Sequence, residues 1–129
     1  MFNRILVIGA TGLLGKPVVE RLTERGHPVR ILTRSPAKAE ALFGRSIEYA
    51  EGSATNIDDV RAAMAGCEAV HINLTPAAEY TATSHVIEVA DGSLGRLGYV
   101  SATTLSEELR WFDRVDVKLR TEQLVRESG

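Results

Sequence analysis

The sequence predicts an α/β fold in which a doubly wound parallel sheet of about five strands is covered by helices on both faces. Short apolar runs alternate with longer amphipathic runs along the 129 residues, which is the pattern of repeated strand–helix units. The first run, Ile5–Ile8, is apolar at every position, as expected of a central strand buried on both sides. Glycines follow these runs where strands and helices should end. The chain has the length of a single domain.

Five apolar runs are predicted as strands, connected by crossover helices. Right-handed connections between parallel strands give a doubly wound sheet with the order 3-2-1-4-5. The predicted strands are residues 5–8, 29–32, 47–50, 69–74 and 99–101.

Capping residues mark where the predicted helices begin and end. Pro17 lies in the first turn of the first helix, where its missing N–H group costs nothing, and Gly26 ends that helix. Ser35 and Asn56 are the predicted N-caps of the second and third helices, and Asp59 lies near the positive end of the third helix dipole. The predicted helices are residues 14–25, 36–43, a helix between Asn56 and Gly66, residues 81–90, and a final helix with Val117, Thr121, Leu124 and Val125 on one face.

Composition and charge exclude several classes of function. Apolar residues make up 44% of the chain and charged residues 25%, which is the balance of a soluble globular protein. A net charge of -2 without Lys/Arg runs argues against nucleic acid as a partner. No apolar stretch is long enough to cross a bilayer, so we expect a cytoplasmic protein with no membrane partner. The single cysteine, Cys67, is interpreted as a core residue, and no metal site is predicted.

A glycine-rich turn, Gly9-Ala10-Thr11-Gly12-Leu13-Leu14-Gly15, lies between the first predicted strand and the first predicted helix. Gly9 permits a tight turn, Gly12 lets a pyrophosphate approach the backbone, and Gly15 allows the helix to pack closely on the sheet. The free N–H groups and the dipole at the helix N-terminus then stabilise the anion without a lysine. The turn therefore predicts a three-layer Rossmann fold that binds a dinucleotide, with all seven residues as candidate contacts.

An ATP-type phosphate loop is the competing interpretation of Gly15 and Lys16. That loop has four residues between its glycines and a Ser or Thr after the lysine. Here five residues separate Gly9 from Gly15, and Pro17 follows Lys16. The ATP-type loop is therefore excluded.

The end of the second predicted strand indicates which dinucleotide is preferred. A site selective for NAD places an acidic residue about 20 positions after the turn, where it binds the ribose hydroxyls. This chain has Arg34 there, with Lys38 nearby. A guanidinium binds a 2′-phosphate in a bidentate manner, so NADP (NADPH) is favoured over NAD. The alternative is that Arg34 is a solvated surface arginine.

With its complete G-A-T-G-x-x-G pattern, the chain resembles the atypical and extended short-chain dehydrogenase/reductase superfamily, especially its NmrA-like and epimerase-like NAD(P)-binding members. The resemblance spans essentially the whole chain. It implies that residues 1–129 form an NAD(P)-binding Rossmann domain that lacks the C-terminal substrate-binding part. Where the family often has Gly-Asp after the third strand, with the aspartate near the adenine, this chain has Gly52 and Ser53.

The resemblance also implies further cofactor neighbours and a candidate catalytic region. Asn73, Leu74 and Thr75 match the segment that passes beneath the cofactor ribose. Ser101 matches the stretch from which reductases of this kind take a Ser or Thr, and Thr103 and Thr104 lie in the same stretch. His71 is interpreted as a packed strand residue, and neither His27 nor His85 has a partner at metal-ligand spacing.

The last helix departs from the active members of the family. These members carry a tyrosine four residues before a lysine, and the tyrosine acts as acid or base. Lys118 is present here, but the tyrosine position holds Arg114, which stays protonated and cannot shuttle a proton at ordinary pH. Lys118 is therefore either a cofactor or catalytic residue, as in atypical members, or a solvated helix lysine paired with Glu122.

Three functions remain open at this point. The first is an NADP-linked oxidoreductase or epimerase-like enzyme without the usual Tyr-Lys pair. The second is a non-catalytic, redox-sensing regulator that binds a dinucleotide, and the third is a structural subunit stabilised by it. The fifth strand would leave an exposed sheet edge that suits a partner or a homodimer.

Overall fold

The computed structural model describes residues 3–100, 107–111 and 113–128. Its parallel sheet has five strands in the order β3-β2-β1-β4-β5, which confirms the predicted topology. In chain order the elements are β1 (Ile5–Ile8), α1 (Gly15–Glu24), β2 (Val29–Thr33), α2 (Pro36–Phe43), β3 (Glu48–Glu51), α3 (Ile57–Met64), β4 (Ala69–Ile72), α4 (Pro76–Ala90), β5 (Arg96–Tyr99), a short 3-10 turn (Glu107–Leu109) and α5 (Asp113–Glu127).

Two hydrophobic cores, one on each face of the sheet, join the three layers. Strand β1 lies at the centre and contributes to both: Leu6 and Ile8 enter the core beneath α3 and α4, whereas Ile5 and Val7 enter the core beneath α1 and α2. All four side chains are buried, and each stabilises the fold by roughly 1.5–3 kcal/mol. Helix α5 packs beside α4. The continuous apolar run of β1 thus reflects burial on both faces, as predicted.

Strand β4 and the helix after it differ from the prediction. Strand β4 ends at Ile72 rather than residue 74, and α4 begins at Pro76 rather than near Thr81. Thr75 is the N-cap in an extended conformation, with Pro76 at the first helical position. Proline disfavours helical geometry in the residue before it and suits the first turn of a helix. The Thr75-Pro76 pair is therefore the start of α4, although the apolar periodicity indicated a helix only from about Thr81.

Strand β5 was predicted too late in the chain. It spans Arg96–Tyr99 rather than residues 99–101, and it pairs with β4 from Ala69 onward. Gly98 lies at a strand position that has little room for a side chain, since a Cβ there would lie only 3.1 Å from Nδ1 of His71. Arginine and glycine are poor strand signals, so only the pairing with β4 defines this strand. Ser101, Thr103 and Thr104 lie outside the described residues.

Smaller differences from the prediction occur at β3, α1 and α2. Strand β3 lies one residue later than predicted, at Glu48–Glu51. In α1 the buried side chain is Val19, whereas Leu14 is 59% exposed and precedes the helix as its N-cap. At α2, Ser35 takes the predicted N-cap position, but its side chain makes no capping hydrogen bond. At α3 the Asn56 side chain does cap the helix, as predicted.

Arg30 joins β2 to the end of α3. Its guanidinium donates to the carbonyl oxygens of Ala63 (2.7 Å) and Ala65 (2.6 Å), which a helix end leaves without partners. It also lies 3.5 Å from Sγ of Cys67, which packs against the first core as predicted. Burial raises the pKa of the Cys67 thiol, although the nearby Arg30 charge acts in the opposite direction. Within the described ranges, no helix is long and apolar enough to cross a membrane.

Candidate functional site

The glycine-rich turn has three glycines in three different environments. Gly9 has a φ of +86°, and a Cβ there would lie 1.8 Å from the Asn73 carbonyl oxygen. A Cβ at Gly15 would lie 2.0 Å from the Gly9 carbonyl oxygen. A Cβ at Gly12 would meet nothing closer than that same oxygen, at 3.7 Å. Gly9 and Gly15 are thus required by the packing of the turn itself, whereas Gly12 leaves space open.

The turn presents unpaired backbone donors at the start of α1. The N–H group of Lys16 donates to the Gly12 carbonyl (3.1 Å). Among the described residues, no backbone acceptor receives the N–H groups of residues 12–15. Together with the helix dipole, such donors form a binding site for an anion. The geometry expected of a pyrophosphate site is therefore present.

A cleft of about 450 Å³ opens beside the turn, at the edge where the parallel strands end. Most of its lining residues are small, and they come from β1, β2, the loops after β1, β2, β3 and β4, and the first turns of α2 and α4. The lining residues are Ile8, Gly9, Ala10, Thr11, Ile31, Leu32, Thr33, Arg34, Ser35, Lys38, Gly52, Ser53, Ala54, Thr55, Leu74 and Ala78. In doubly wound sheets this edge is where ligands bind.

Arg34 and Lys38 bring positive charge to one end of the cleft. Arg34 directly follows β2, and Lys38 lies in the first turn of α2. Both side chains are exposed, and neither forms an ion pair within the described part of the chain. Among the described residues that line the cleft, no side chain is acidic. This end of the cleft is therefore suited to an anionic group.

The loop after β3 forms the adjacent wall. The Ser53 N–H group donates to the Asp59 carboxylate (2.9 Å), and a Cβ at Gly52 would lie 2.7 Å from that side chain. The Ser53 hydroxyl pairs with the Thr55 hydroxyl at 2.8 Å. Asp59, in the first turn of α3, thus holds the loop that places Ser53 in the cleft. The sequence predicted Asp59 as a helix residue but not this second contact.

About half of the predicted cofactor-binding residues line the cleft. The predicted residues that line it are Gly9, Ala10, Thr11, Arg34, Lys38, Ser53 and Leu74. Those outside its lining are Gly12, Leu13, Leu14, Gly15, Asn73, Thr75 and Lys118. Leu13 is 91% exposed beside the cleft, and Asn73 contributes the carbonyl against which Gly9 packs. Sequence reasoning missed Thr33, Ser35, Thr55 and Ala78, because strand ends and helix starts bring them together only in three dimensions.

Lys118 pairs with a different carboxylate from Glu122, the partner considered in the sequence analysis. Its ammonium lies 3.2 Å from Oε1 and 3.4 Å from Oε2 of Glu79, and it donates to the Val100 carbonyl (3.0 Å). Glu122 pairs instead with Arg126, at 3.8 Å. The interpretation of Lys118 as a solvated lysine paired with Glu122 is therefore wrong, because α4 packs against α5 and brings a buried carboxylate closer. Arg114 is exposed on α5.

His71 is a partly buried strand residue. Its Nε2 atom has no hydrogen-bond partner among the described residues, and burial lowers the pKa of its imidazole. Its ring packs against Gly98 of the neighbouring strand, so the interpretation as a packed residue is confirmed. In the described ranges, no group of three or more His, Cys, Asp or Glu side chains is placed to hold a metal ion.

Comparison with known proteins assigns a ligand class to this site. The family model described as NAD(P)H-binding matches residues 9–129, beginning at the first glycine of the turn. The chain belongs to the NAD(P)H-binding family. As an NAD(P)H-binding domain, it takes a nicotinamide dinucleotide, and the open backbone at Gly12 and the free donors of α1 fit the pyrophosphate of that group.

Relatives of this NAD(P)H-binding domain include reductases and epimerases. A 3-beta-hydroxysteroid dehydrogenase of Mycolicibacterium neoaurum is 37% identical over 68 residues, which cover 53% of this chain and 18% of that protein. An NADPH-dependent quinone oxidoreductase from Escherichia coli, solved in complex with NADPH, is 25% identical in sequence to this chain. The two structures superpose with a TM-score of 0.74, over 97% of this chain and 45% of the oxidoreductase.

UDP-glucose 4-epimerase of Thermotoga maritima has the same fold, with a TM-score of 0.80 and 17% identity over 97% of this chain and 50% of the other. The chain thus spans about half the length of these two solved structures, and less of the dehydrogenase. Together with the family match, these relatives confirm the resemblance to the short-chain dehydrogenase/reductase superfamily.

Proposed function

We propose that this domain binds NADP(H) in preference to NAD(H), and that Arg34 and Lys38 bind the 2′-phosphate. The observation that carries the proposal is the pair of cations at the end of β2, in a cleft that has no acidic side chain among its described lining residues. An NAD-selective site would have a carboxylate there to accept hydrogen bonds from the ribose hydroxyls. A guanidinium has only donors, so it matches a phosphate rather than a hydroxyl pair.

The remaining contacts follow from the position of the phosphates. The free N–H groups at the start of α1 bind the pyrophosphate, with Gly12 allowing close approach. The Ser53 loop then lies beside the adenosine half, on the β3 side of the cleft. In place of the family's aspartate, Ser53 offers a hydroxyl, which forms a weaker hydrogen bond than a carboxylate. Leu74 and its neighbours Asn73 and Thr75 lie on the opposite side, beside β4.

For the reaction, we propose hydride transfer between NADP(H) and a small organic molecule, as in an NADP-linked oxidoreductase. The quinone oxidoreductase and steroid dehydrogenase relatives support this class. The proton donor is a group other than residue 114, because an exposed arginine cannot fill the role of the family tyrosine. We further propose that the substrate pocket lies in a part of the protein beyond these 129 residues, as in its longer relatives.

A redox-sensing regulator is the alternative, and the arrangement around Lys118 favours it. Arg114 replaces the acid–base tyrosine, and Lys118 is held by groups of its own chain. A regulator must bind the oxidised and reduced dinucleotides with different affinities, because a ligand changes a conformational equilibrium only by its differential affinity. An oxidoreductase has no such requirement.

Calorimetric titration of the purified chain with NADPH, NADP⁺ and NADH tests both proposals. We expect NADPH to bind at least about tenfold more tightly than NADH, since charge-assisted hydrogen bonds to the 2′-phosphate contribute about 1.5–3 kcal/mol. The Arg34→Glu variant should remove that preference. Arg45→Glu is the matched control, because Arg45 is 94% exposed outside the cleft and its reversal changes the net charge equally.

Equal binding of NADPH and NADH by the wild type would contradict the preference. A preference that survives in Arg34→Glu would show that another residue holds the phosphate. Similar affinities for NADPH and NADP⁺ would count against the regulator, and NADPH consumption with a quinone would support the oxidoreductase.

A further inference from the structure

A buried charged cluster joins α4, β5 and α5 outside the lining of the cleft. Its centre is the carboxylate of Glu79, whose residue is fully buried. The Tyr99 hydroxyl donates a hydrogen bond to this carboxylate, and the Lys118 ammonium lies within 3.2 Å of it. Lys118 also lies 5.2 Å from the centre of the Tyr99 ring. Each of these three elements thus contributes one residue to the cluster.

Stability alone does not account for such a cluster. A buried ion pair is often no more stabilising than apolar residues of the same volume, because both charges lose their hydration. Glu79 lies on the buried side of α4, where Ala82, Thr83 and Val86 are also fully buried. Positions as buried as this one are mostly occupied by apolar side chains. The charges therefore call for another explanation.

The cluster ends at the sheet edge where the dinucleotide binds. Ala78, the residue before Glu79, lines the cleft. Lys118 donates to the carbonyl of Val100, directly after β5, and its side chain is 18% exposed. An ammonium has three donors. Among the groups that the structure describes, two of these donors are directed to Glu79 and Val100. The third donor is left for a ligand.

The direction of the bound dinucleotide follows from the proposed function, on which this inference rests. Arg34 and Ser53 hold the adenosine half over β2 and β3, and the pyrophosphate lies at the start of α1, next to β1. Continuing across the sheet in the order β3-β2-β1-β4-β5, the nicotinamide half must lie over β4 and β5. Lys118 reaches the sheet edge at β5.

We propose that Glu79 and Tyr99 are positioning residues, which hold the Lys118 ammonium against β5 so that it binds the nicotinamide half of the dinucleotide. Glu79 fixes the position of the ammonium through the ion pair, and Tyr99 fixes the carboxylate through its hydrogen bond. A lysine on a flexible four-carbon chain would otherwise lose rotamer freedom on binding. The cluster supplies that order before the ligand arrives, which strengthens binding.

A binding experiment with a whole and a half ligand tests this role. NADP⁺ carries both halves, whereas adenosine 2′,5′-bisphosphate carries the adenosine half and its 2′-phosphate without the nicotinamide ribose. Calorimetry on the full chain compares the two ligands in the wild type, Glu79→Gln, Lys118→Met and the double variant. Glu88→Gln is the matched control, because Glu88 lies exposed on the same helix.

We expect Glu79→Gln and Lys118→Met each to weaken NADP⁺ binding about tenfold, the value of one charge-assisted hydrogen bond, and to leave bisphosphate binding unchanged. In the Lys118→Met background, Glu79→Gln should have no further effect, because Glu79 acts through Lys118. Glu88→Gln should change neither affinity. Where Glu79→Gln fails to fold, Tyr99→Phe keeps the shape of the side chain and should weaken NADP⁺ selectively.

Other outcomes overturn the inference in distinguishable ways. Equal losses for both ligands, or no loss for either, would make the cluster a structural contact only. If the wild type binds NADP⁺ no more tightly than the bisphosphate, the cluster is again only structural, although the proposed function would then stand. Binding of neither ligand would overturn both proposals.

Discussion

At the scale of single residues, the three glycines of the turn separate the needs of the fold from those of the ligand. Gly9 and Gly15 are in contact with backbone of the turn and of the Asn73 segment, so any side chain there would collide with carbonyl groups. Gly12 has no such contact and does not have a positive φ. The same residue type therefore serves packing at two positions and an open approach for the ligand at the third.

Alanine at each position should reveal this difference. Gly12→Ala should change the free energy of unfolding by no more than about 0.5 kcal/mol, as at an uncrowded site, yet weaken dinucleotide binding at least about tenfold. Gly9→Ala should destabilise the fold by about 2 kcal/mol or more, because of the positive φ and the clash with Asn73. Urea denaturation and calorimetric titration of both variants check the prediction. Unchanged binding in Gly12→Ala would contradict an approach of the pyrophosphate at this glycine.

At the scale of elements, the ends of helices position the loops that form the cleft. The Asn56 side chain accepts hydrogen bonds from the N–H groups of Asp58 (2.9 Å) and Asp59 (3.3 Å), which fixes the start of α3. Asp59 in turn accepts from the Ser53 N–H group. Through these contacts the α3 cap orders the Ser53 loop. At α2 the Ser35 side chain makes no equivalent bond.

Two alanine variants compare these helix starts. Asn56→Ala should cost about 1 kcal/mol of stability, the usual value of a side-chain N-cap. Ser35→Ala should cost only a few tenths of that, because the side chain makes no capping bond, so it serves as the matched control. Midpoints and slopes of urea denaturation measure both. Equal losses in the two variants would show that the Asn56 bonds do not stabilise α3.

At the scale of the whole molecule, the protonation of His71 is linked to unfolding. Burial lowers the pKa of this imidazole in the folded state below its ordinary value of 6.5. The unfolded chain therefore takes up a proton first as the pH falls through that value. Protonation favours the unfolded state, and the loss of stability continues until the pH reaches the folded-state pKa.

We expect the free energy of unfolding to decrease from pH 7.5 to pH 5.5, with a contribution from His71 of at most about 1.4 kcal/mol per pH unit. His71→Gln should remove that contribution and make the profile shallower. Urea denaturation of wild type and variant at intervals across this range gives both profiles. Parallel profiles would show that His71 has the same proton affinity in both states.

The sequence by itself determined the fold class, the strand order and the ligand class. The all-apolar β1 requires burial on both faces, and each glycine of the turn has a backbone reason that holds in any such unit. Local signals of this kind act within a few residues, so one sequence is enough to read them. They also placed Arg34 and Lys38 at the dinucleotide site, because the end of β2 lies about 20 residues after the glycine-rich turn in such units.

The tertiary structure decided what depends on contacts between distant segments. Strand β5, with Arg96 and Gly98, is defined by its pairing with β4 rather than by its own composition. The partner of Lys118 is Glu79, which lies 39 residues away and becomes a neighbour only when α4 packs against α5. Periodicity within one helix points to Glu122, one turn along. The preference of a buried carboxylate for a cation is stronger than that of an exposed one, and burial is a property of the packed chain alone.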